Sequence, residues 1–508
     1  MTTALVIHGH FYQPPRENPR TERVECEPSA HPFHDWNERI HSECYHPNAY
    51  ARIGDGQRRI VNNYARMSFN FGPTLLSWLA RFHPDTYARI LEADRASAVA
   101  RGGHGNALAQ GYNHVILPLC NERDLRTQVR WGIRDFSARF RRAPEALWLP
   151  ETACDARTLG VLMDEGLRYV ILSPHQAARV RPLGAQAWQQ VASGDGADPT
   201  VPYKYFHPDG SGRSIALFFY DGRISQGIAF EGLLSSSRSL IERCVSAARG
   251  GEVPLVNVAT DGESYGHHFR FGDLCLAYAL EEEAAAHGFR VTNYGEFLDE
   301  HPPLWEADIK AGEGTAWSCV HGLGRWTRDC GCQTGAPEGW NQRWRTPLRA
   351  ALDFLRDDAA DKFEDAAGEL LGNHWEARDD YVELLIAPSA SRTEFLARHA
   401  SKVLSEGERA RALRLLELQR HAMTMYTSCG WFFNDISGLE TVQVLRYAGR
   451  VLELLDELGF DAPREPFLEI LAGAQSNVAA AGNGADIFRR HVMRADDVAL
   501  ADTALVLS

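Results

Sequence analysis

Seven apolar runs of strand length punctuate the first part of the chain: Ala4–His8, Met67–Phe71, Gly105–Gln110, Ala146–Pro150, Tyr169–Ser173, Ser214–Tyr220 and Leu255–Thr260. Between them, Asn121–Phe140 and Ala156–Glu165 repeat apolar residues at helical spacing. Strands that alternate with helices predict a parallel sheet. Such a sheet either closes into a barrel with one unit missing or lies open as a doubly wound layer. Polar residues gather at the strand ends, which favours an α/β fold built on an incomplete seven-stranded barrel.

From about Glu306 the pattern changes. Trp317–Arg345 is dense in Trp, Gly, Cys and Arg without a period, and reads as an irregular functional loop. After Pro347, apolar residues recur every three or four positions in Leu348–Arg356, Lys362–Leu371, Asp379–Leu385, Glu406–Tyr426 and Gly438–Leu458. The expected organisation is a catalytic barrel over 1–305, a Trp/Cys-rich loop region over 306–346 and a mostly helical C-terminal domain over 347–508. From about Ala474, the abundance of Ala, Gly, Asn and Asp predicts loose order. Gly194-Asp195-Gly196 and Gly250-Gly251 read as turns.

Composition narrows the class. At 508 residues the chain exceeds one hydrophobic core, and 44% hydrophobic with 24% charged residues is the balance of a soluble globular protein. A net charge of -14 argues against nucleic acid as a partner. No stretch approaches the roughly twenty apolar residues that span a bilayer, so no membrane partner is expected. The opening residues lack a basic region and a long apolar run, so a cytoplasmic location is expected. Ten scattered cysteines read as reduced thiols. No heptad pattern indicates an oligomeric state.

The chemistry sits where strands end. Ala146-Leu147-Trp148-Leu149 stops at Pro150, which cannot donate to a sheet ladder, and Glu151 follows. Pro254–Ala259 delivers Thr260-Asp261-Gly262-Glu263 in the same way. Two carboxylates on two strand ends are the minimum equipment for glycoside hydrolysis. Taken singly, Glu151 suits a helix cap and Asp261 a turn. His8-Gly9-His10, Asn113-His114 and His267-His268 add histidines at further strand ends. His8 and His10 share a side, yet no further ligands are spaced for zinc, and hydrogen bonds to substrate hydroxyls are the other use. Cys319, His321, Cys330 and Cys332 are four soft ligands. Their one-residue spacing is tighter than usual for zinc, so buried free thiols are the first reading and a structural zinc the second. No phosphate-cradling loop and no nucleophile elbow appear.

His8-Gly9-His10 with Gln13-Pro14, Leu147–Glu151, and Asp261–His267, in that order, resemble the motifs of glycoside hydrolase family 57 over residues 1 to about 300. The longer opening His8–Pro15, with Cys330-Gly331-Cys332 and Trp340-Asn341-Gln342, resembles the branch carrying domain of unknown function 3536. The resemblance implies retaining enzymes of α-glycans: amylases, glucanotransferases, branching enzymes and α-galactosidases. It implies an incomplete seven-stranded barrel followed by a helical domain, and catalysis without a metal or other cofactor. Carried onto this chain, it implies Glu151 as nucleophile, Asp261 as general acid/base, and His8, His10 and His114 at a sugar subsite. Trp148, His267, Trp317, Trp326 and Trp340 join the expected substrate-binding set, with Trp148 and Tyr265 as neighbours that raise the acid's pKa. Packing of the helical domain is the competing role for Trp317, Trp326 and Trp340. Trp431–Asp435, which interrupts the helical region, could also reach the cleft. The expected partner is an oligo- or polysaccharide, α-glucan first, and the leading activity its hydrolysis. Transfer or branching, metal-dependent deacetylation and turnover-free glycan binding are the rivals.

Overall fold

The computed structural model describes residues 2–54, 59–192, 196–248, 254–387 and 391–493. The turn readings at Gly194-Asp195 and Gly250-Gly251 lie outside them. All seven apolar runs are strands: β1 Thr3–Phe11, β2 Ser68–Phe71, β3 Ala107–Gln110, β4 Leu147–Trp148, β5 Tyr169–Leu172, β6 Ser214–Phe219 and β7 Leu255–Asp261. They are buried nearly throughout, as strands covered on both faces must be.

Parallel pairing runs in the order β7-β1-β2-β3-β4. A bridge between Ala146 and Tyr169 hands β4 to β5, which pairs in parallel with β6. Between β6 and β7, Asp221 N donates to Asn257 O at 2.8 Å and Asn257 Nδ2 to Phe219 O at 3.1 Å. That seam has isolated hydrogen bonds in place of a ladder, which is the incomplete part of the barrel. In register, His10 lies opposite Asn70 on β2 and Asp261 on β7. Three adjacent strands therefore bring polar residues to one level at their carboxyl ends.

Beyond β6 the sheet continues through Tyr203–Phe206, Trp305–Ile309, Ala177–Pro182 and Gln189–Gln190. The sequence reading missed this extension because its apolar alternation is broken by charge. Arg179 Nε donates to Asp308 at 2.6 Å and Arg181 Nε to Glu306 at 3.0 Å across the ladder. The segment expected to be loop from residue 306 thus begins inside a strand.

By contact, the chain falls into two compact units. The first comprises Met1–Pro15, Glu25–Tyr112 and Gly132–Ser318 and holds the barrel. The second comprises Arg16–Val24, Asn113–Trp131 and Cys319–Ser508. Within it, Leu348–Arg356 and Lys362–Leu371, read as separate helices, form the single helix α1, Arg345–Gly368. No Pro or Gly lies between them, and Ala359, Ala360 and Phe363 continue the buried stripe of Leu348, Leu352 and Leu355. Helix α1 packs against α2, Glu406–Thr424, and α4, Arg464–Leu471, while α2 packs against α3, Leu439–Glu457.

Loose order from Ala474 is corrected by the structure. Asn483 caps the helix Gly484–Phe488 in a capping box, and Ile487, Phe488 and Val492 are buried. Residues 494–508 lie outside the described residues. Trp431 is buried in the helix Cys429–Phe432. No helix among the described residues is long and apolar enough to cross a membrane.

Candidate active site

Glu151 occupies a backbone conformation that L-residues avoid. Its φ is 59° and that of Thr152 is 48°, just after Pro150 has ended β4. Two adjacent left-handed non-glycine residues cost on the order of 1–3 kcal/mol each and persist only where neighbours dictate the turn. Here the neighbours are visible. Gln176 Nε2 donates to Thr152 O at 2.9 Å, and Thr152 Oγ1 donates to Gln176 Oε1 at 3.0 Å. Cys154 and Thr315 form an antiparallel bridge, and Trp317 N donates to Glu151 O at 3.0 Å. The side chain is held too: Trp317 Nε1 at 2.9 Å and Ser318 Oγ at 2.6 Å both donate to Glu151 Oε2. Two donors on one oxygen fix the carboxylate's orientation.

Asp261 ends β7 in ordinary extended geometry. Among the described residues no hydrogen bond reaches its carboxylate. The side chain keeps surface open to water, yet protein surrounds it densely. That burial, and then the negative charge of Glu151, raise its pKa from 3.8 to about 7. Glu263, two residues on, is fully enclosed and accepts from Tyr12 N at 3.1 Å and the Tyr45 hydroxyl at 2.7 Å through Oε1. Burial, followed by repulsion from Asp261, raises its pKa to about 8. Gly262 between them packs directly on Phe11, since a Cβ there would lie 2.3 Å from the Phe11 ring.

Behind the carboxylates lies a buried polar layer. His8 Nε2 meets Asn70 Oδ1 at 3.1 Å, and His8 Nδ1 meets Ser68 Oγ at 3.0 Å. Asn70 Nδ2 donates to His10 Nδ1 at 2.9 Å and to Gln110 Oε1 at 2.8 Å. Burial lowers the pKa of both histidines to about 3, so both imidazoles are neutral at any working pH. A neutral His10 that accepts at Nδ1 carries its proton at Nε2. Trp148 stacks on both rings, with centroids 4.7 Å from His8 and 5.1 Å from His10. Trp317 stands edge-on to Trp148 at 5.3 Å and to Tyr220 at 6.3 Å. Tyr220, its pKa raised to about 12 by burial and the nearby Asp261, remains a neutral phenol.

The fold therefore gathers Glu151, Asp261, His8, His10, Trp148 and Trp317 in the first unit. His267 is there as well, paired through Nδ1 with Glu43 and edge-on to Trp36. Tyr265 is buried, and its hydroxyl accepts from Thr260 Oγ1 at 3.2 Å. His114, Trp326 and Trp340 belong to the second unit. His114 is buried with its Nδ1 2.7 Å from Ser428 Oγ, and Trp326 is buried with Nε1 donating to Ser428 O at 3.2 Å. Cys319, His321, Cys330 and Cys332 also lie there, their ligand atoms within 4.8 Å of one another; of the three thiols read first as buried and free, only Cys319 is buried.

Ser318, Asn70, Tyr45 and Glu263 were missed as contributors. Asn70 left a signal, a polar residue inside an apolar strand, and Glu263 stood inside a motif already singled out. Ser318 left none, because it meets Glu151 from 167 residues away.

Residues 7–309, more than half of the chain, match the sequence profile of Glycosyl hydrolase family 57, and residues 340–504 match Domain of unknown function DUF3536. No curated protein matches the chain. Among solved structures, an exo-type maltose-forming amylase from Pyrococcus sp. ST04 is similar with a TM-score of 0.68 at 16% identity, over 99% of this chain and 94% of that one. A branching enzyme from Pyrococcus horikoshii gives 0.55 at 15% identity, over 93% and 95%. A 4-alpha-glucanotransferase from Thermococcus litoralis gives 0.52 at 14% identity, over 90% and 60%. At these identities the likeness is one of fold.

Proposed function

Because the chain belongs to glycosyl hydrolase family 57, we propose that it hydrolyses α-linked glucan by double displacement with net retention, using Glu151 as nucleophile and Asp261 as general acid and base. The observation that carries this reading is the contrast between the two carboxylates. One is oriented by two donors on a single oxygen, and the other has a pKa of about 7. The named activities of the structures that share the fold, an amylase, a branching enzyme and a glucanotransferase, support α-glucan as the substrate class.

In the first step a Glu151 oxygen attacks the anomeric carbon while protonated Asp261 gives its proton to the departing glycosidic oxygen. The C–O bond breaks as the glycosyl ester forms, which needs the two carboxyl groups roughly 5 Å apart. Asp261, now a carboxylate, removes a proton from water, and that oxygen displaces the Glu151 ester. Two inversions give retention. The pKa near 7 suits both duties, since an acid–base group works best close to the operating pH. Trp317, which is only partly buried, supplies aromatic surface for a sugar ring, whereas Trp148 and Tyr220 are buried.

Proton NMR of amylose hydrolysis tests the reading. Newly formed reducing ends should appear first as the α anomer with wild type and be lost in Glu151→Gln. First appearance of the β anomer would overturn retention. New chain lengths or branches without new reducing ends would replace hydrolysis with transfer. Undiminished hydrolysis by Glu151→Gln would overturn the nucleophile.

A further inference from the structure

The loop Cys319–Cys332 of the second unit takes no part in the reaction just described, yet it carries the densest cluster of soft ligands in the sequence. Sγ of Cys319 lies 3.8 Å from Sγ of Cys332 and 4.0 Å from Sγ of Cys330, and Cys332 Sγ lies 3.5 Å from His321 Nδ1. All four ligand atoms fall within 4.8 Å of one another. A tetrahedral zinc with Zn–S of about 2.3 Å and Zn–N of about 2.0 Å holds two sulfurs about 3.8 Å apart, and a sulfur and a nitrogen about 3.5 Å apart. These three edges lie within about 0.2 Å of that tetrahedron.

The tight spacing that counted against a metal has a local solution. Gly331, between Cys330 and Cys332, adopts a φ of +80° that other L-residues rarely take, and no atom lies within 4 Å of where its Cβ would be. Gly324 packs directly on Cys330, since a Cβ at 324 would lie 2.8 Å from that of Cys330.

Charge supplies a second, independent observation. Arg345 is fully buried at the start of α1. Its guanidinium donates to Cys330 Sγ at 3.9 Å, Cys332 O at 3.2 Å and Phe433 O at 3.3 Å, and its Nε has no partner. None of those acceptors is a carboxylate, and a buried cation without an anion is costly. Three thiolates, one neutral imidazole and Zn²⁺ sum to one negative charge, which is the counter-charge Arg345 lacks.

We propose that Cys319, His321, Cys330 and Cys332 bind one zinc ion, with Arg345 as the second layer that neutralises the site. Binding releases three thiol protons and leaves four protein ligands with no open position, so the metal is structural and not catalytic. It ties the loop back on itself and onto the first turn of α1.

The test uses the reduced full chain, purified, loaded with Zn²⁺ and desalted. Elemental analysis should find about one zinc per chain. Replacement by Co²⁺ should give the ligand-field bands of a tetrahedral cobalt thiolate with charge transfer in the near ultraviolet. Cys332→Ser should lower bound zinc at least roughly tenfold, whereas Cys26→Ser, at an exposed thiol of the first unit, should leave it unchanged. If Cys332→Ser does not fold, the wild-type cobalt spectrum decides by itself, and His321→Cys should keep the metal while intensifying the charge transfer. Wild type free of zinc after loading, an octahedral cobalt spectrum, or equal zinc loss in Cys26→Ser would each overturn the site.

Discussion

Glu151 and Asp261 stand at the ends of β4 and β7 in the same barrel, but the protein treats them in opposite ways. Around Glu151 it accepts two left-handed residues, clamps the turn through Gln176 and the Thr315–Trp317 segment, and aims two donors at one carboxylate oxygen. Around Asp261 the backbone is regular, no donor among the described residues reaches the carboxylate, and its dense surroundings with a neighbouring negative charge favour the protonated form. In the mechanism we propose, positioning serves the group that attacks a carbon from a defined direction, and electrostatics serve the group that holds and returns a proton. Surroundings alone set two chemically similar side chains apart in this way.

The harshest way to break the contrast is Glu151→Gln, which keeps the side chain's shape and removes the nucleophile we propose. A loss in kcat on the order of 10⁴-fold or more is expected on amylose, and retention of a tenth of the activity would end the assignment. Asp261→Asn should cost roughly 10² to 10⁴-fold on glucan, and far less on an aryl glucoside whose leaving group needs no proton. Its pH profile sharpens the point. In wild type the acid is protonated below about pH 7, so kcat/KM should fall as pH rises through that value. Asp261→Asn should lose that alkaline limb, and its persistence would assign the limb to another group.

A smaller effect is expected from Trp317→Phe, which keeps the ring but removes the indole donor to Glu151. A fall in kcat of roughly tenfold to a hundredfold with little change in KM would mark a positioning role, whereas a change in KM alone would leave it a sugar platform. Gln176→Ala removes the clamp on Thr152 and should lower stability by about 1–3 kcal/mol in urea titration, with a loss of kcat from the relaxed turn. An unchanged midpoint and rate would mean the strained turn is held elsewhere.

The smallest change in rate is expected at Glu263→Gln, where stability is the informative quantity. A folded pKa of about 8, against an unfolded value near 4.5, means that Glu263 contributes stability below pH 4.5 that is lost as pH rises through 8. The variant should match wild type near pH 4 and exceed it in melting temperature at pH 8. A constant difference across that range would exclude a buried, protonated Glu263.

How much of this was legible depends on distance along the chain. The seven strands were visible because buried parallel strands read as short apolar runs, and Pro150 marked the end of β4. The polar extension Ala177–Pro182 with Trp305–Ile309 was not, because its pairing rests on Arg179–Asp308 and Arg181–Glu306, partners more than a hundred residues apart. The order beyond Ala474 was hidden for a related reason: a short capped helix reveals itself only once Ile487 and Phe488 have a core to enter.

By itself the sequence determined which residues stand at the barrel's carboxyl rim, since alternation, length and a proline stop are local properties of a strand. It also placed two carboxylates and the His8–His10 pair there. Only the tertiary structure decided what those residues experience. The donors to Glu151 arrive from 166 and 167 residues away, and the charge that reaches Asp261 comes from another strand. The Cys319–Cys332 cluster divides in the same way: its ligands are written in the chain, but their edges and the unpaired charge of Arg345 exist only in the fold. Orientation, desolvation and charge–charge repulsion act through space over a few ångströms, and sequence separation carries no information about such distances.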